Sequence, residues 1–196
     1  DFTVTSSTAW KLGIVPAKIA RENEENDWDI FIEVTDKENK IASASKLDLN
    51  MGAYFEVSAP SSIQFGEIDA DGEFHPTNGK NLNPTVISNG TFDLRLNSED
   101  CSYDGKTLAL NEIELPGTQE FSLKAGKGND PAGAKWVTKT ASGGEIYTDV
   151  GRTMSEDGVT KPIYLWIAIG EGTEHGTYTG TIIITGFNLR LWLRFS

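Results

Sequence analysis

Acidic side chains alternate ahead of a glycine in one short stretch of the chain, a spacing that could bind a metal ion. Glu67, Asp69 and Asp71 stand at every second position before Gly72. Clustered carboxylate and carbonyl oxygens are the ligands that Ca²⁺ prefers, and an EF-hand loop starts with similar spacing. The rest of that motif is missing, because its first position is Glu and its twelfth is Asn78. We expect either a looser calcium site at Glu67, Asp69 and Asp71 or a solvated acidic turn.

Few other residues have the type and spacing of a metal site or a catalytic site. Neither His75 nor His175 stands at a zinc-ligand spacing from the other or from Cys101. A Ser-x-x-Lys sequence occupies 43–46, but the companion motifs of the penicillin-recognising enzymes are missing from the sequence. Two carboxylates would suffice for a glycosidase, although no further motif supports one among the 29 acidic residues. The sequence therefore predicts a protein that is not an enzyme.

Two single residues carry alternative interpretations. Cys101 is the only cysteine, so it is either a buried, idle thiol or the partner in an intermolecular disulfide. Its acidic neighbours disfavour the thiolate, which argues against a nucleophile. Asn89 begins the sequon Asn-Gly-Thr, so it is either a glycan acceptor or part of a tight Asn-Gly turn.

Charge and hydropathy narrow the partners that the chain could bind. The 196 residues include 29 acids and 17 bases, giving a net charge of −12. Nucleic acids and anionic membranes require a basic face, so we expect neither as a partner. No apolar run approaches the roughly 18 residues of a membrane span. The sequence begins Asp1-Phe2-Thr3, as a processed exported protein would, and we expect an extracellular or cell-surface location.

Apolar residues recur with the period of β-strands along most of the chain. The alternation predicts strands at 2–5, 28–34, 53–59, 91–96, 120–124, 136–138, 145–147 and 162–169, followed by two closing strands separated by Gly186-Phe187-Asn188. Phe92, Leu94 and Leu96 should face inward. The run at 162–169 is nearly all apolar, which indicates a strand covered on both faces. Only 17–26 is a modest helix candidate.

Turn chemistry agrees with a β-rich fold. We expect hairpin-type turns at five pairs: Asp71-Gly72, Asn78-Gly79, Asn89-Gly90, Asp104-Gly105 and Asp157-Gly158. Neither an internal repeat nor a linker divides the chain. The predicted fold is therefore one all-β domain over residues 1–196, an immunoglobulin-like or jelly-roll β-sandwich with long loops.

Tryptophans offer a second kind of binding face. Trp10, Trp28, Trp136 and Trp166 could line a sugar-binding surface of a β-sandwich. Trp28 and Trp166 lie within strong strand patterns, which favours core packing for these two. A carbohydrate-binding module or adhesin domain that recognises cell-wall or surface glycans is therefore the alternative functional hypothesis.

The segment Gly176-Thr177-Tyr178-Thr179-Gly180, with the β-branched run at 181–185 after it, resembles the closing strand of many exported prokaryotic sandwich domains. The resemblance covers about ten residues. It implies an extracellular immunoglobulin-like sandwich of the kind found in surface-layer, archaeal sheath, pilus and camelysin-like filament subunits. It implies no catalytic residues.

This chain departs from that pattern by continuing beyond the strand. Leu189, Leu191, Leu193 and Phe195 alternate with Arg190, Trp192 and Arg194. The run is either a strand of its own sheet, a strand donated to another copy, or a contact with a membrane or cell wall. An exposed apolar edge is normally a liability, but a donated strand gains main-chain hydrogen bonds and side-chain pockets.

We therefore predict a structural subunit of an extracellular polymer, such as a filament, sheath or surface layer, that assembles with copies of itself through strand pairing. A repeated head-to-tail contact of this kind grows fibres. The predicted assembly segments are 1–8 and 187–196. Their interface residues are Phe2, Val4, Leu189, Leu191, Trp192, Leu193 and Phe195.

Overall fold

The computed structural model describes residues 3–4, 10–11, 28–49, 51–77, 81–140 and 144–188. Within these ranges the regular secondary structure is nearly all β-strand, with one short 3-10 helix at Pro131–Gly133, which confirms the predicted all-β class. The helix candidate at 17–26 and the pair Asn78-Gly79 lie outside them. The strands are β1 (Thr3–Val4), β2 (Trp10–Lys11), β3 (Trp28–Thr35), β4 (Ile41–Leu49), β5 (Phe55–Ser58), β6 (His75–Pro76), β7 (Thr85–Ser88), β8 (Phe92–Ser98), β9 (Cys101–Tyr103), β10 (Lys106–Asn111), β11 (Glu120–Gly126), β12 (Lys135–Trp136), β13 (Glu145–Val150), β14 (Val159–Thr160), β15 (Tyr164–Ile169) and β16 (Ile182–Asn188).

Three sheets surround one hydrophobic core. The largest has the order β6-β15-β11-β10-β9, with β12 also paired to β11. The second has the order β13-β8-β16 and the third β14-β7-β5. Strands β10 and β11 pair in parallel. Buried apolar side chains of all three sheets form one cluster, consistent with a sandwich; it includes Val86, Phe92, Leu94, Leu96, Leu108, Leu110, Phe121, Leu123, Leu165 and Ile167.

Strand β8 is buried on both faces. Phe92, Leu94 and Leu96 are fully buried, as their alternation predicts. The intervening Asp93 is also buried, and its carboxylate accepts a hydrogen bond from the backbone N–H of Asp149 at 2.8 Å. That amide lies where β13 changes register against β8 and has no ladder partner there. The buried carboxylate of Asp93 accepts its hydrogen bond instead.

Strand β15 confirms the second burial prediction. Leu165, Trp166, Ile167 and Ala168 are all buried, so both faces of this strand are covered. Trp166 is consequently a packing residue and not part of an exposed aromatic platform. The side chains of Trp10 and Trp28 fall outside the described part of the chain.

The predicted turns have mixed outcomes. Asp104-Gly105 joins the paired strands β9 and β10 with both residues at positive φ, 48° and 75°, as a type I′ hairpin requires. Asn89-Gly90 joins β7 to β8, which lie in different sheets, so the hairpin prediction is wrong there. Asp71-Gly72 and Asp157-Gly158 have a glycine at positive φ but do not connect strands that pair with each other.

The predicted break between two closing strands is also wrong. Gly186, Phe187 and Asn188 belong to β16, which pairs with β8 without interruption from Ile182 opposite Ser98 to Asn188 opposite Phe92. Gly186 is needed within this strand because the ring of Phe55 occupies the space above it. A Cβ at Gly186 would lie 2.1 Å from Cζ of that ring.

The Gly-x-Tyr-x-Gly segment has a packing explanation. The backbone of Thr179 exchanges hydrogen bonds with that of Ser102, which lays the segment against β9. A Cβ at Gly176 would lie 2.2 Å from the Tyr103 ring, and one at Gly180 would lie 2.5 Å from Sγ of Cys101. Between the glycines, the ring of Tyr178 contacts that of Tyr103, with centroids 5.7 Å apart. Both glycines are therefore required by side chains of β9.

This packing predicts a compensating pair of substitutions. Gly180→Ala should lower the free energy of unfolding by about 1–3 kcal/mol, because its methyl group overlaps Sγ of Cys101. Adding Cys101→Ala should recover most of this loss, because the sulfur that causes the overlap is removed. Urea unfolding of the wild type, both single variants and the double variant measures the coupling.

Gly151→Ala is the matched control, since a Cβ at Gly151 would have no atom within 4 Å. It should change the free energy of unfolding much less than Gly180→Ala. Additive effects of Gly180→Ala and Cys101→Ala would contradict the proposed overlap.

Candidate assembly interface

Strands β3 and β4 form a hairpin that stands apart from the sandwich. They pair with each other in a two-stranded sheet, and no other strand of the described ranges joins them. The pairing extends from Trp28 opposite Leu49 to Thr35 opposite Ile41, with one register shift between Trp28 and Ile30. A two-stranded hairpin alone is marginally stable in water, so this element is a natural candidate for contact with another chain.

The hairpin turn is specified by local hydrogen bonds. The N–H of Asn39 donates to the carbonyl of Asp36 at 3.0 Å, and Asn39 itself has a positive φ of 61°. The Asp36 carboxylate also accepts from the backbone N–H groups of Glu38 and Lys40. A type I turn followed by a left-handed residue suits a short hairpin, and Asn tolerates that conformation.

One face of the hairpin is apolar. The register places Ile30, Ile32 and Val34 of β3 directly opposite Lys46, Ala44 and Ala42 of β4. Ile32 is 38% exposed and Val34 37% exposed, although β-branched residues at such positions normally pack against a second layer. This set, Ile30, Ile32, Val34, Ala42 and Ala44, is called the apolar face below.

The opposite face of the hairpin is also accessible. Phe31 is 66% exposed and Ile41 is 64% exposed. Glu33 lies between Phe31 and Thr35 on this side of β3, opposite Ser43. Both faces of the hairpin therefore carry exposed apolar side chains.

Asn89 forms hydrogen bonds with the segment between β4 and β5, which joins the hairpin to the sandwich. Its side-chain oxygen accepts from the N–H of Tyr54 at 2.7 Å, and its Nδ2 donates to the carbonyl of Gly52 at 2.8 Å. The side chain is buried, at 2% exposure. The amide of Asn89 is therefore engaged inside the fold, and the glycan-acceptor interpretation of the sequon stays a prediction.

The predicted calcium residues do not converge in the structure. Among the described residues no group of three or more His, Cys, Asp or Glu side chains is arranged to hold a metal ion. Asp71 instead contacts His75, with Nε2 at 3.0 and 3.1 Å from the two carboxylate oxygens. The hydrogen bond from His75 is the main cause that lowers the pKa of Asp71. Glu67 and Asp69 lie in the exposed loop that leads to this pair.

Cys101 lies beneath the Gly-x-Tyr-x-Gly segment. The thiol is partly buried, and burial raises its pKa to about 11, with the Asp100 carboxylate adding to the effect. This agrees with the expectation that the thiolate is disfavoured. An intermolecular disulfide at Cys101 would need the segment around Gly180 to move away from the sulfur.

A cluster of aromatic rings lies on the sheet of β11 and β12. The Lys124 ammonium lies 4.5 Å from the centroid of Phe74 and 4.4 Å from that of Trp136, and the two rings meet edge to face. Near the end of β15, a cleft of about 330 Å³ is lined by Tyr164 together with Pro76, Thr77, Asn81, Asn129 and Leu165. The ring of Tyr164 stacks on that of Trp166.

The structure leaves most of the predicted assembly residues untested. Phe2, Leu189, Leu191, Trp192, Leu193 and Phe195 lie outside the described residues; for Val4 only the backbone, paired with Trp10 in β1–β2, is described. The sequence does not predict the exposed hairpin, because β4 is rich in Ala and Ser and shows no apolar alternation of large residues. The signal that could reveal it is the strong strand pattern of β3 followed by Asp36 and Asn39 at turn positions.

Comparison with known proteins found no match among family models, curated sequences or solved structures. In the part of the chain that the structure describes, no helix is both long and apolar enough to cross a membrane.

The burial of Cys101 predicts that its thiol reacts slowly with disulfide reagents. At pH 8 the native chain should react with an aromatic disulfide reagent about two orders of magnitude more slowly than the chain unfolded in urea, because little of the native thiol is ionised. Stopped-flow absorbance measures both rates. Equal rates, or a covalent dimer on a non-reducing gel of the native protein, would contradict this assignment.

Proposed function

We propose that this protein is a structural subunit of an extracellular or cell-surface polymer, such as a filament, sheath or surface layer, and that its copies assemble by β-strand pairing. The observation that carries the proposal is the β3–β4 hairpin, which exposes its apolar face and has no third strand within the described ranges. Unpaired strand edges template pairing with other chains unless a protein protects them.

The strands of the hairpin are long enough to accept an added strand. Its two strands are eight and nine residues long, and neither contains proline. A long edge without proline can accept an added strand, and the pairing of β3 with β4 is continuous from Ile30 to Thr35. The acidic composition, with a net charge of −12, keeps such a chain soluble before it assembles.

Substitution of the apolar face tests the proposal. Ile32→Ser combined with Val34→Ser should abolish assembly, because the contact surface loses its apolar area. The core should be unaffected, because both side chains are exposed in the single chain. Light scattering and electron microscopy measure assembly, and urea unfolding reports on the sandwich.

A matched control is Met154→Ser, which removes an apolar side chain that is 75% exposed elsewhere. This variant should assemble like the wild type. A wild-type chain that stays monomeric over a wide range of concentration and salt would overturn the proposed function. Normal assembly by the Ile32→Ser, Val34→Ser variant would exclude the apolar face as the interface.

A second candidate function is glycan binding in the monomer, as a carbohydrate-binding module or adhesin domain. The cleft beside β15 favours it, since Tyr164 offers a ring and Thr77, Asn81 and Asn129 offer hydroxyl and amide groups. A ring with a few convergent polar groups can hold a sugar.

The glycan hypothesis predicts binding that depends on Tyr164. Cell-wall oligosaccharides should bind the single chain, and Tyr164→Ala should weaken this binding at least tenfold by calorimetry, because the stacking surface is lost. Phe31→Ala is the control, because Phe31 lies on the hairpin. No binding by the wild type to a broad oligosaccharide panel would remove this candidate.

A further inference from the structure

One edge of β3 is not occupied by any strand of the described ranges, and it needs a partner if copies of this chain assemble by strand pairing, as the proposed function requires. We propose that this edge accepts residues 189–195 of a second copy of the chain as a third strand of the hairpin sheet; the pairing rests on the proposed function. On the acceptor side, β3 pairs with β4 along one edge, and no strand of the described ranges occupies its other edge.

The two seven-residue segments have complementary patterns. The acceptor reads Trp28-Asp29-Ile30-Phe31-Ile32-Glu33-Val34, and the incoming segment reads Leu189-Arg190-Leu191-Trp192-Leu193-Arg194-Phe195. Each has apolar residues at positions one, three, five and seven, charges at two and six, and an aromatic residue in the middle. The charges of the acceptor are acidic and those of the incoming segment are basic.

When the two segments are aligned at their central aromatic residues, each charged residue lies opposite one of the other sign and each apolar residue lies opposite an apolar residue. With Trp192 opposite Phe31 in antiparallel pairing, Arg190 is opposite Glu33 and Arg194 is opposite Asp29. The leucines at 191 and 193 then fall on the same side as Ile32 and Ile30, where they extend the apolar face. Because each pattern is symmetric about its centre, parallel pairing gives the same matches with the two acids exchanged.

Pairing of like segments is disfavoured by the same charges. Two β3 strands aligned at Phe31 would place acids opposite acids, and two copies of 189–195 would place arginines opposite arginines. Opposite charges across a strand pair stabilise it and like charges destabilise it. The contact is therefore between different surfaces of two copies, and a contact of that kind propagates into a filament when it does not close into a ring.

The pairing would also complete the hairpin. Three strands with a common apolar side are the minimum for a sheet that is stable by itself, and the hairpin supplies two. Exposed Phe31 would gain an aromatic neighbour, and exposed Ile32 and Val34 would lie beside leucines.

Charge reversal and its compensation test the pairing. Asp29→Arg with Glu33→Arg should abolish assembly, and so should Arg190→Glu with Arg194→Glu. An equimolar mixture of these two variants should recover assembly, because each supplies an edge that matches the other. Glu156→Arg with Asp157→Arg, which makes the same charge change on an exposed turn, should assemble like the wild type.

Cysteine cross-linking identifies which chain supplies the strand. In a Cys101→Ala background, one variant carries Phe31→Cys and another carries Trp192→Cys, so the central match is tested in either strand direction. We expect a disulfide between the two variants when they are mixed and oxidised. A chain that carries both cysteines and closes the disulfide within a monomer would overturn the second-copy assignment.

The outcomes separate the inference from the proposed function. If the wild type assembles but either reversed variant also assembles, or the mixture does not recover, the pairing is wrong while the subunit function stands. If the wild type does not assemble, both are overturned. Loss by each variant, recovery on mixing and a cross-link between different chains would support the pairing.

Discussion

Burial of β8 on both faces is the constraint on which the rest of the sandwich depends. Phe92, Leu94 and Leu96 fill the core, while the other side of the strand is also removed from water. Every polar group on that second side then needs a partner within the protein. Asp93 meets this need by accepting from the N–H of Asp149, at the point where the register of β13 against β8 is irregular. Along its other edge, β8 pairs without a break with β16. The core strand thus determines both of its neighbours.

The parts of the fold that follow from burial are predictable from the sequence, and those that follow from pairing alone are not. Alternating large apolar residues identify β8, and the continuous apolar run identifies β15, because only buried strands need such patterns. Strand β4 carries no such pattern, and its alanines and serines are exposed. The packing of Asn89 is unpredictable for a related reason. A sequon records which residues are adjacent in sequence, whereas its amide is positioned by Gly52 and Tyr54, which are distant in sequence.

The candidate interface exposes apolar side chains to water, whereas the core buries them. The buried apolar side chains of the sandwich form one cluster, whereas the hairpin leaves β-branched and aromatic residues in water. A folded monomer gains little from that exposure, since apolar surface is stabilising only when it is removed from solvent. The same exposure gives a free energy of association to two chains that meet. In the proposed pairing, the acidic charges of β3 would restrict which strand can approach, so the hairpin would combine a nonspecific attraction with a specific register.

The uninterrupted pairing of β16 has a mechanical consequence. In an antiparallel pair the hydrogen bonds run across the strands, so a pull along the strand axis opposes all of them together. Tension applied at Asn188 along β16, with β8 held at Ser98, would load the entire ladder in shear, and the bonds could not be opened one after another. A force carried through residues 189–195 in this direction would act on all hydrogen bonds between β16 and β8 at once. The pair would resist such a pull better than a force that peels one strand from the other.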